Sequence, residues 1–330
     1  MKTPALLAVS ILIIFGSFAT VQDARSNEPR SKQLGTAYGF ILGQQASLEL
    51  IEKKFPDLSR DVKASWFAFN SSALGESVKG VEAEMSNQFG DKWPTLKKKM
   101  TAQMKKMTEG QQLTRNQAIA FLGEVKLRAK GELPDSIRST LLSANPRYSK
   151  HPSLEMSEGW KKVFPSKGHA KAKGLNMKIS YPSSWKQTEG TRPNILQKFQ
   201  GANIQDGMVM LITKALPAPY NRKLTAAEKN ELVSEEVTKE FIPDGAKFIS
   251  HKITKIDGEI AAMFEYEVMV ERVGYSIGQK ILSFIIPHNG TLLMIQGATG
   301  GDASKGMTAI RKRYLAAKPL FTIIASSCIF

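Results

Sequence analysis

Residues 259–271 constrain the fold most, because their apolar and polar side chains alternate along the chain. Successive side chains of a β-strand point to opposite faces, so this pattern predicts a strand with one buried face. Asp257-Gly258 before it and Asn289-Gly290 after it suit two-residue turns between antiparallel strands. The sequence therefore predicts an antiparallel meander with strands at 246–256, 259–272, 275–287 and 291–299, preceded by strands at 176–181, 194–200 and 207–215.

The first half of the chain has a different period. Over residues 34–142 apolar side chains recur every three or four positions, as Met100, Met104 and Met107 do, which predicts helices with a buried stripe. Thr114 followed three residues later by Gln117 is the capping box that opens a helix. We therefore expect an all-α domain of about five helices over 34–145, with the methionines as core residues rather than soft-metal ligands.

Two further segments complete the expected organisation. Residues 146–173 carry three prolines and little periodicity, which predicts a basic linker. Thr225 and Glu228 form a second capping box, so a helix should follow the first group of strands. A helical stripe closes the chain from Met307 to Cys328. Pro319 should kink or split that helix, and Cys328 should be a core residue.

The strand at 176–181 ends in an unusual way, with Tyr181, Pro182 and, after two serines, Trp185. Proline cannot donate to a strand ladder, and the turn folds the tryptophan back as a large apolar plug. With the order strand, Tyr-Pro-x-x-Trp, strands, helix, meander, helix, residues 174–330 resemble the PsbP-like superfamily, the group of PsbP, Mog and DcrB. The resemblance implies an α-β-α sandwich used for binding or assembly, without shared catalytic residues.

The expected fold class is thus α+β. An N-terminal all-α helical domain, for which we recognise no family, precedes an antiparallel-sheet α-β-α sandwich of PsbP-like type.

The first nineteen residues have the charge, length and small-residue ending of a secretory signal peptide. We expect cleavage near Ala19 and a secreted or periplasmic mature chain without a transmembrane segment. An uncleaved membrane anchor is the alternative, although the apolar run is short for a span. Cys328 is the only cysteine, so no disulfide can form within the chain.

A formal charge of +16 favours anionic partners. The candidate partner-binding residues are the lysines that cluster in the helical half and in the linker: Lys97, Lys98, Lys99, Lys105, Lys106, Lys161 and Lys162. They predict recognition of an envelope protein or an anionic surface, the alternative being the solvated side of a helix. No nucleic-acid partner is expected, because the sequence contains no module that we recognise as nucleic-acid binding and export removes the chain from the cytoplasm.

Two other kinds of chemistry compete with that interpretation. Glu265 and Glu267, with Glu271 beyond them, form a row on one strand face that could hold a divalent cation or pair with Lys280 or Arg272. A Gly-x-Ser-x-Gly match surrounds Ser276, but that motif belongs to a strand-to-helix turn, whereas Ser276 opens a predicted strand. The histidines at 151, 169, 251 and 288 have no zinc-ligand spacing.

The sequence therefore predicts an exported, non-enzymatic binding or assembly module of the bacterial envelope that uses no cofactor. An envelope hydrolase with an inter-domain site and a divalent-cation-binding protein are the alternatives. Convergence of His251 and His288 with Ser276 and the glutamates would favour the hydrolase.

Overall fold

The computed structural model describes residues 29–110, 112–202, 206–272, 275–304 and 306–330. These residues fall into two compact units, 29–150 and 151–330. The signal peptide predicted for residues 1–19 lies outside the described residues.

The first unit is built from helices, as the apolar spacing predicts. Its core contains Tyr38, Phe69 and Leu141, each 2 % exposed or less. The predicted capping box forms, with the Thr114 hydroxyl accepting from the Gln117 N–H. The helices are α1 (Arg30–Lys54), α2 (Ser59–Asn70), α3 (Ala73–Phe89), α4 (Trp93–Glu109), α5 (Arg115–Ala129), α6 (Asp135–Ser143) and α7 (Pro146–Lys150), with 3-10 turns at Pro56–Leu58 and Gly90–Lys92.

The second unit contains nine strands among the residues described, in two antiparallel sheets. In the larger sheet the strands lie side by side in the order β3-β4-β5-β9-β8-β7-β6, and β1 pairs with β2 in a sheet of two. The strands are β1 (Lys161–Pro165), β2 (Lys178–Pro182), β3 (Lys186–Glu189), β4 (Ile195–Gln200), β5 (Met208–Ala215), β6 (Lys247–Ile256), β7 (Glu259–Arg272), β8 (Tyr275–His288) and β9 (Thr291–Asp302). The helices are α8 (Ser153–Ser157), α9 (Ala226–Leu232), α10 (Glu235–Lys239) and α11 (Thr308–Ser326), with a 3-10 turn at Ala170–Ala172.

The predicted meander is the sequence β6-β7-β8-β9. Asp257 and Gly258 join β6 to β7 with φ angles of 48° and 79°, and Asn289 and Gly290 join β8 to β9 with 43° and 78°. Positive φ at both central residues is the signature of the turns that match the twist of a hairpin. The turn predicted at Gly274 lies outside the described residues.

Helices cover both faces of the larger sheet. On one face Tyr314 and Phe321 of α11 pack with Leu282 and Phe284 of β8. On the other face the segment around α9 and α10 packs Leu232, Val233 and Phe241 against Phe264 and Tyr266 of β7. The second unit is therefore an antiparallel α-β-α sandwich, and the expected α+β fold class is confirmed.

The Tyr-Pro-x-x-Trp element lies in the core on the α11 side. Tyr181 stacks on Phe199 with ring centroids 4.3 Å apart, and Trp185 is 6 % exposed in the same cluster. Pro182 is the last residue of β2, opposite Lys161 of β1. The strand that ends in this element thus belongs to the small sheet, since β2 pairs with β1.

Residues 146–173 differ from the predicted linker. They form α7, α8, β1 and the 3-10 turn at Ala170–Ala172, and the division between the two units falls at Lys150. Pro146 begins α7 and Pro152 precedes α8, where a proline costs no helical hydrogen bond. The two helices and the strand in this segment are five residues long each, which is too short for a hydrophobic period to show in the sequence.

Two predicted helices also differ in detail. The helix after Thr225 is two short ones, because Ser234 breaks the run and caps α10 through the N–H of Val237. The closing helix is not split, since α11 continues through Pro319, which is exposed. Cys328 is 1 % exposed, and burial, with Asp257 nearby, raises the pKa of its thiol to about 12, so it is unreactive as expected.

Candidate functional site

The predicted lysine cluster lies on α4, which begins at the buried Trp93 with Pro94 in its first turn. Trp93 packs on Tyr38 of α1 with ring centroids 5.3 Å apart, which fixes the buried side of the helix. The opposite side carries Lys98, Lys99, Lys105 and Lys106, all exposed. We call these four residues the α4 lysine face.

Positions seven apart on a helix lie nearly above one another, about 10 Å apart. Lys98 therefore lies in line with Lys105, and Lys99 in line with Lys106. None of the four makes an ion pair with any other residue that the structure describes. Glu109 shares this side of the helix at its end and is exposed.

Lys97 differs from the other four. Its Nζ donates to Glu82 Oε1 at 2.8 Å, and the Tyr38 hydroxyl donates to the same oxygen at 2.9 Å. Burial, reinforced by the Glu82 carboxylate, raises the pKa of Tyr38. Lys97 thus ties α4 to α3 and contributes little free charge.

The methionines on α4 are not all core residues. Met100 and Met104 are half-buried, but Met107 is 60 % exposed. The expectation of a buried stripe is therefore wrong at Met107, although Thr108 next to it in the same turn is buried.

Lys161 and Lys162, the two candidates of the predicted linker, lie on β1 in the second unit. Lys161 is exposed and Lys162 half-buried. Burial raises the pKa of Glu155, and the positive charge of Lys162 acts in the opposite direction.

Glu265 and Glu267 of the glutamate row face α11 and are buried, 8 % and 7 % exposed, whereas Glu271 at the end of the row is exposed. Arg311 of α11 donates to both oxygens of Glu267 at 2.8 and 2.7 Å, and Lys280 donates at 3.3 Å. The Arg311 hydrogen bonds dominate and hold the pKa of Glu267 at about 2 against the opposing effect of burial.

Glu265 is paired in the same way. It accepts from the Tyr314 hydroxyl and from Lys318 Nζ, both at 2.7 Å. Burial pushes its pKa up, but these two donors and the nearby lysine charges outweigh burial and leave the pKa below its usual range.

These contacts argue against a cation site at the glutamate row. A divalent ion would have to displace Arg311 and Lys318 from carboxylates whose oxygens already accept strong hydrogen bonds. Within the described ranges, no group of three or more His, Cys, Asp or Glu side chains could hold a metal. The paired-face interpretation fits the geometry, with Lys280 as one of the predicted partners.

The hydrolase candidates do not converge. Ser276 lies at the start of β8 and His288 at its end, and twelve residues of strand span about 40 Å. His251 is engaged with the Val233 carbonyl oxygen at 2.9 Å. His169 Nδ1 accepts from the Lys171 N–H at 3.2 Å, and His151 is exposed.

A cavity of about 240 Å³ lies beside His288. His288 Nδ1 lies 3.0 Å from Glu259 Oε1, its Nε2 lies 2.8 Å from the Asn289 amide nitrogen, and its ring stacks on Phe330 at 4.4 Å. The Asn289 amide is a donor, so Nε2 accepts and Nδ1–H donates. The sequence does not indicate this arrangement, because Glu259 precedes His288 by 29 positions and belongs to no motif. The lining residues are Gly174, Leu175, Asn176, His288, Asn289, Thr291 and Phe330.

Glu155 on α8 was also missed. It is 4 % exposed, and its carboxylate accepts from the Ser184 N–H at 2.7 Å and from the Ser184 hydroxyl at 2.6 Å. Burial outweighs these hydrogen bonds and raises its pKa to about 7. The pair fastens α8 to the turn that positions Trp185.

None of the helices described is long and apolar enough to span a bilayer.

A scan against protein-family models found no match, and a search of curated proteins found none. Among solved structures, the chain is similar to CyanoP, the cyanobacterial PsbP of Synechocystis, with 19% identity and a TM-score of 0.34 over 52% of this chain and 92% of that one. It is also similar to a protein of Bacteroides thetaiotaomicron, with 14% identity and a TM-score of 0.30 over 52% of this chain and 47% of that one.

A third similar structure is LpqN, a protein involved in cell envelope biogenesis of Mycobacterium tuberculosis, with 12% identity and a TM-score of 0.30 over 52% of this chain and 92% of that one. At these identities and scores the matches carry no information on function. The fold assignment depends on the sheet order and covering helices described above.

Proposed function

We propose that this protein is an exported, non-enzymatic binding or assembly module of the bacterial envelope, and that it recognises an anionic partner through the α4 lysine face. The observation that carries the proposal is the set of four exposed lysines, Lys98, Lys99, Lys105 and Lys106, that make no ion pair with other described residues.

Each lysine near an anionic surface contributes about 1 kcal/mol, and less as salt screens it. Four of them on one helix side would together strengthen binding about a thousandfold. Export is supported by the signal-like composition of the first nineteen residues. The separation of Ser276 from His288 along β8 favours binding over hydrolysis.

The test is binding of the purified full chain to isolated cell envelopes, at low and high salt, for two charge-reversal variants. The first carries K98E, K99E, K105E and K106E. The matched control carries K53E, K79E, K126E and K130E, which change the net charge equally at exposed lysines on other helices of the same unit or next to them.

We expect the first variant to lose most of its binding and most of its salt dependence, and the control to keep both. Equal losses in the two variants would show that only net charge matters. Unchanged binding of the first variant would exclude the α4 lysine face as the contact surface.

A further inference from the structure

The larger sheet has two edges of very different character. At one edge β3 is four residues long and carries no large apolar side chain. At the other edge β6 runs for ten residues, from Lys247 to Ile256, and none of the described strands pairs with its outer side. Edge strands present unpaired backbone N–H and C=O groups that can accept another strand.

The side chains of β6 are exposed although the strand belongs to the core sheet. Ile249 is 40 % and Ile253 50 % exposed. Lys247, Lys252 and Lys255 are exposed as well, and none of them forms an ion pair with a described residue. The edge thus combines apolar surface with unbalanced positive charge.

The register assigns these side chains to the two faces. Directly opposite residues of an antiparallel pair point to the same face. Ile253 lies opposite Ala262, and Lys255 opposite Ile260, so both point to the α9–α10 face. Lys252 lies opposite Met263 and points to the α11 face. A strand added to β6 would meet one lysine on each face, with an isoleucine between them.

We propose that the β6 edge binds an extended acidic segment of another protein by strand addition. This inference rests on the proposed function, because it assumes that the protein acts by binding a partner. The added strand supplies carboxylates opposite Lys252 and Lys255 and an apolar side chain opposite Ile253. A second copy of this chain does not fit in the same manner, because two β6 edges would bring lysines together and like charges across a ladder are destabilising.

The regular part of the edge is Ser250–Ile256, because the register shifts between Phe248 and Ser250. An antiparallel strand opposite these residues reads, from its N-terminus, Val-Glu-Thr-Val-Glu-Thr-Thr. This heptapeptide, acetylated, amidated and fluorescently labelled, is the probe. Two control peptides carry lysine in place of both glutamates, or N-methyl groups on alternate backbone amides.

Binding is measured by anisotropy with the full chain, and the exchange of backbone amides over 247–256 by hydrogen–deuterium exchange. We expect the acidic peptide to bind and to protect these amides, and the lysine peptide to bind about tenfold more weakly. The N-methylated peptide should lose binding, because it keeps the charge but cannot complete the ladder.

The double variant K252E/K255E should reverse the preference between the acidic and lysine peptides. K223E/K312E changes the net charge equally at exposed lysines of the same unit and should leave the preference intact. Equal binding of the N-methylated and parent peptides, or equal effects of the two double variants, would overturn strand addition.

The variant K98E/K99E/K105E/K106E separates this inference from the proposed function. It should bind the acidic peptide normally even where it no longer binds envelopes. Failure of the acidic peptide to bind the unaltered chain would refute the β6 proposal and would not affect the α4 proposal.

Discussion

Replacing Glu155 with glutamine should change how the stability of the second unit depends on pH. The folded protein holds this carboxyl group in a site that is 4 % exposed, and its pKa rises from 4.5 to about 7. In the unfolded chain the group is hydrated and releases its proton near 4.5. Between these two pH values the folded state therefore binds a proton that the unfolded state has lost.

The sign follows from proton linkage. Stability falls with rising pH wherever the folded state binds more protons than the unfolded state. The contribution of Glu155 is fully present below pH 4.5 and is lost as the pH rises to about 7. Each unit of pKa difference corresponds to about 1.4 kcal/mol, so the free energy of unfolding should fall by about 3 kcal/mol across this window on account of Glu155.

Glutamine is a suitable replacement because it keeps both hydrogen bonds without a charge. Its amide oxygen can accept from the Ser184 N–H, and its amide nitrogen can donate to the Ser184 hydroxyl. E155Q should therefore fold normally and lack the pH-dependent loss.

The assay is urea unfolding followed by tryptophan fluorescence from pH 4.5 to pH 7.5, with separate transitions fitted where the two units unfold separately. The difference in unfolding free energy between the unaltered protein and E155Q should fall by about 3 kcal/mol over the window. E236Q, which removes one carboxylate at an exposed position of α10, is the matched control. Parallel curves for the unaltered protein and E155Q would refute the reasoning.

Two other substitutions test the packing of α11 on the sheet. E267A leaves Lys280, whose side chain is 13% exposed, without its carboxylate and should destabilise the second unit by about 3 kcal/mol in thermal or urea unfolding; a loss below about 1 kcal/mol would contradict the importance of this pair. G297A places a methyl group 2.3 Å from Phe321 Cγ and should destabilise by more than about 2 kcal/mol. G123A, in α5 with nothing within 4 Å, should instead stabilise by up to about 1 kcal/mol, and similar effects of the two glycine variants would contradict the contact.

The meander could be predicted because its determinants are local. Residues 259–271 carry the strand period within their own sequence, and Asp257-Gly258 specifies the turn before them. The same holds for the capping boxes at Thr114 and Thr225, where the interacting residues are three apart. Such features need no knowledge of the rest of the chain.

The missed features depend on distant residues. β1 forms because it pairs with β2, and its own five residues show no decisive period. Glu265 and Glu267 alternate with apolar residues as a solvated face would, but their partners Lys318 and Arg311 come 53 and 44 residues later. Whether a polar strand face is open to water therefore depends on α11, which the local pattern does not include.

The ion pairs within the second unit determine which of its cations contribute to the net positive charge of the surface. Several cations of the second unit are neutralised by nearby acids, in the pairs Lys171–Glu189, Arg222–Glu228, Lys229–Glu259, Arg311–Glu267 and Lys318–Glu265. The +16 excess of the chain is therefore not spread evenly over its lysines. It is concentrated where acids are missing, and the α4 lysine face and the β6 edge are two such places. A field of this kind attracts anions to particular surfaces, so substitutions at these two sites should affect binding far more than equal charge changes elsewhere.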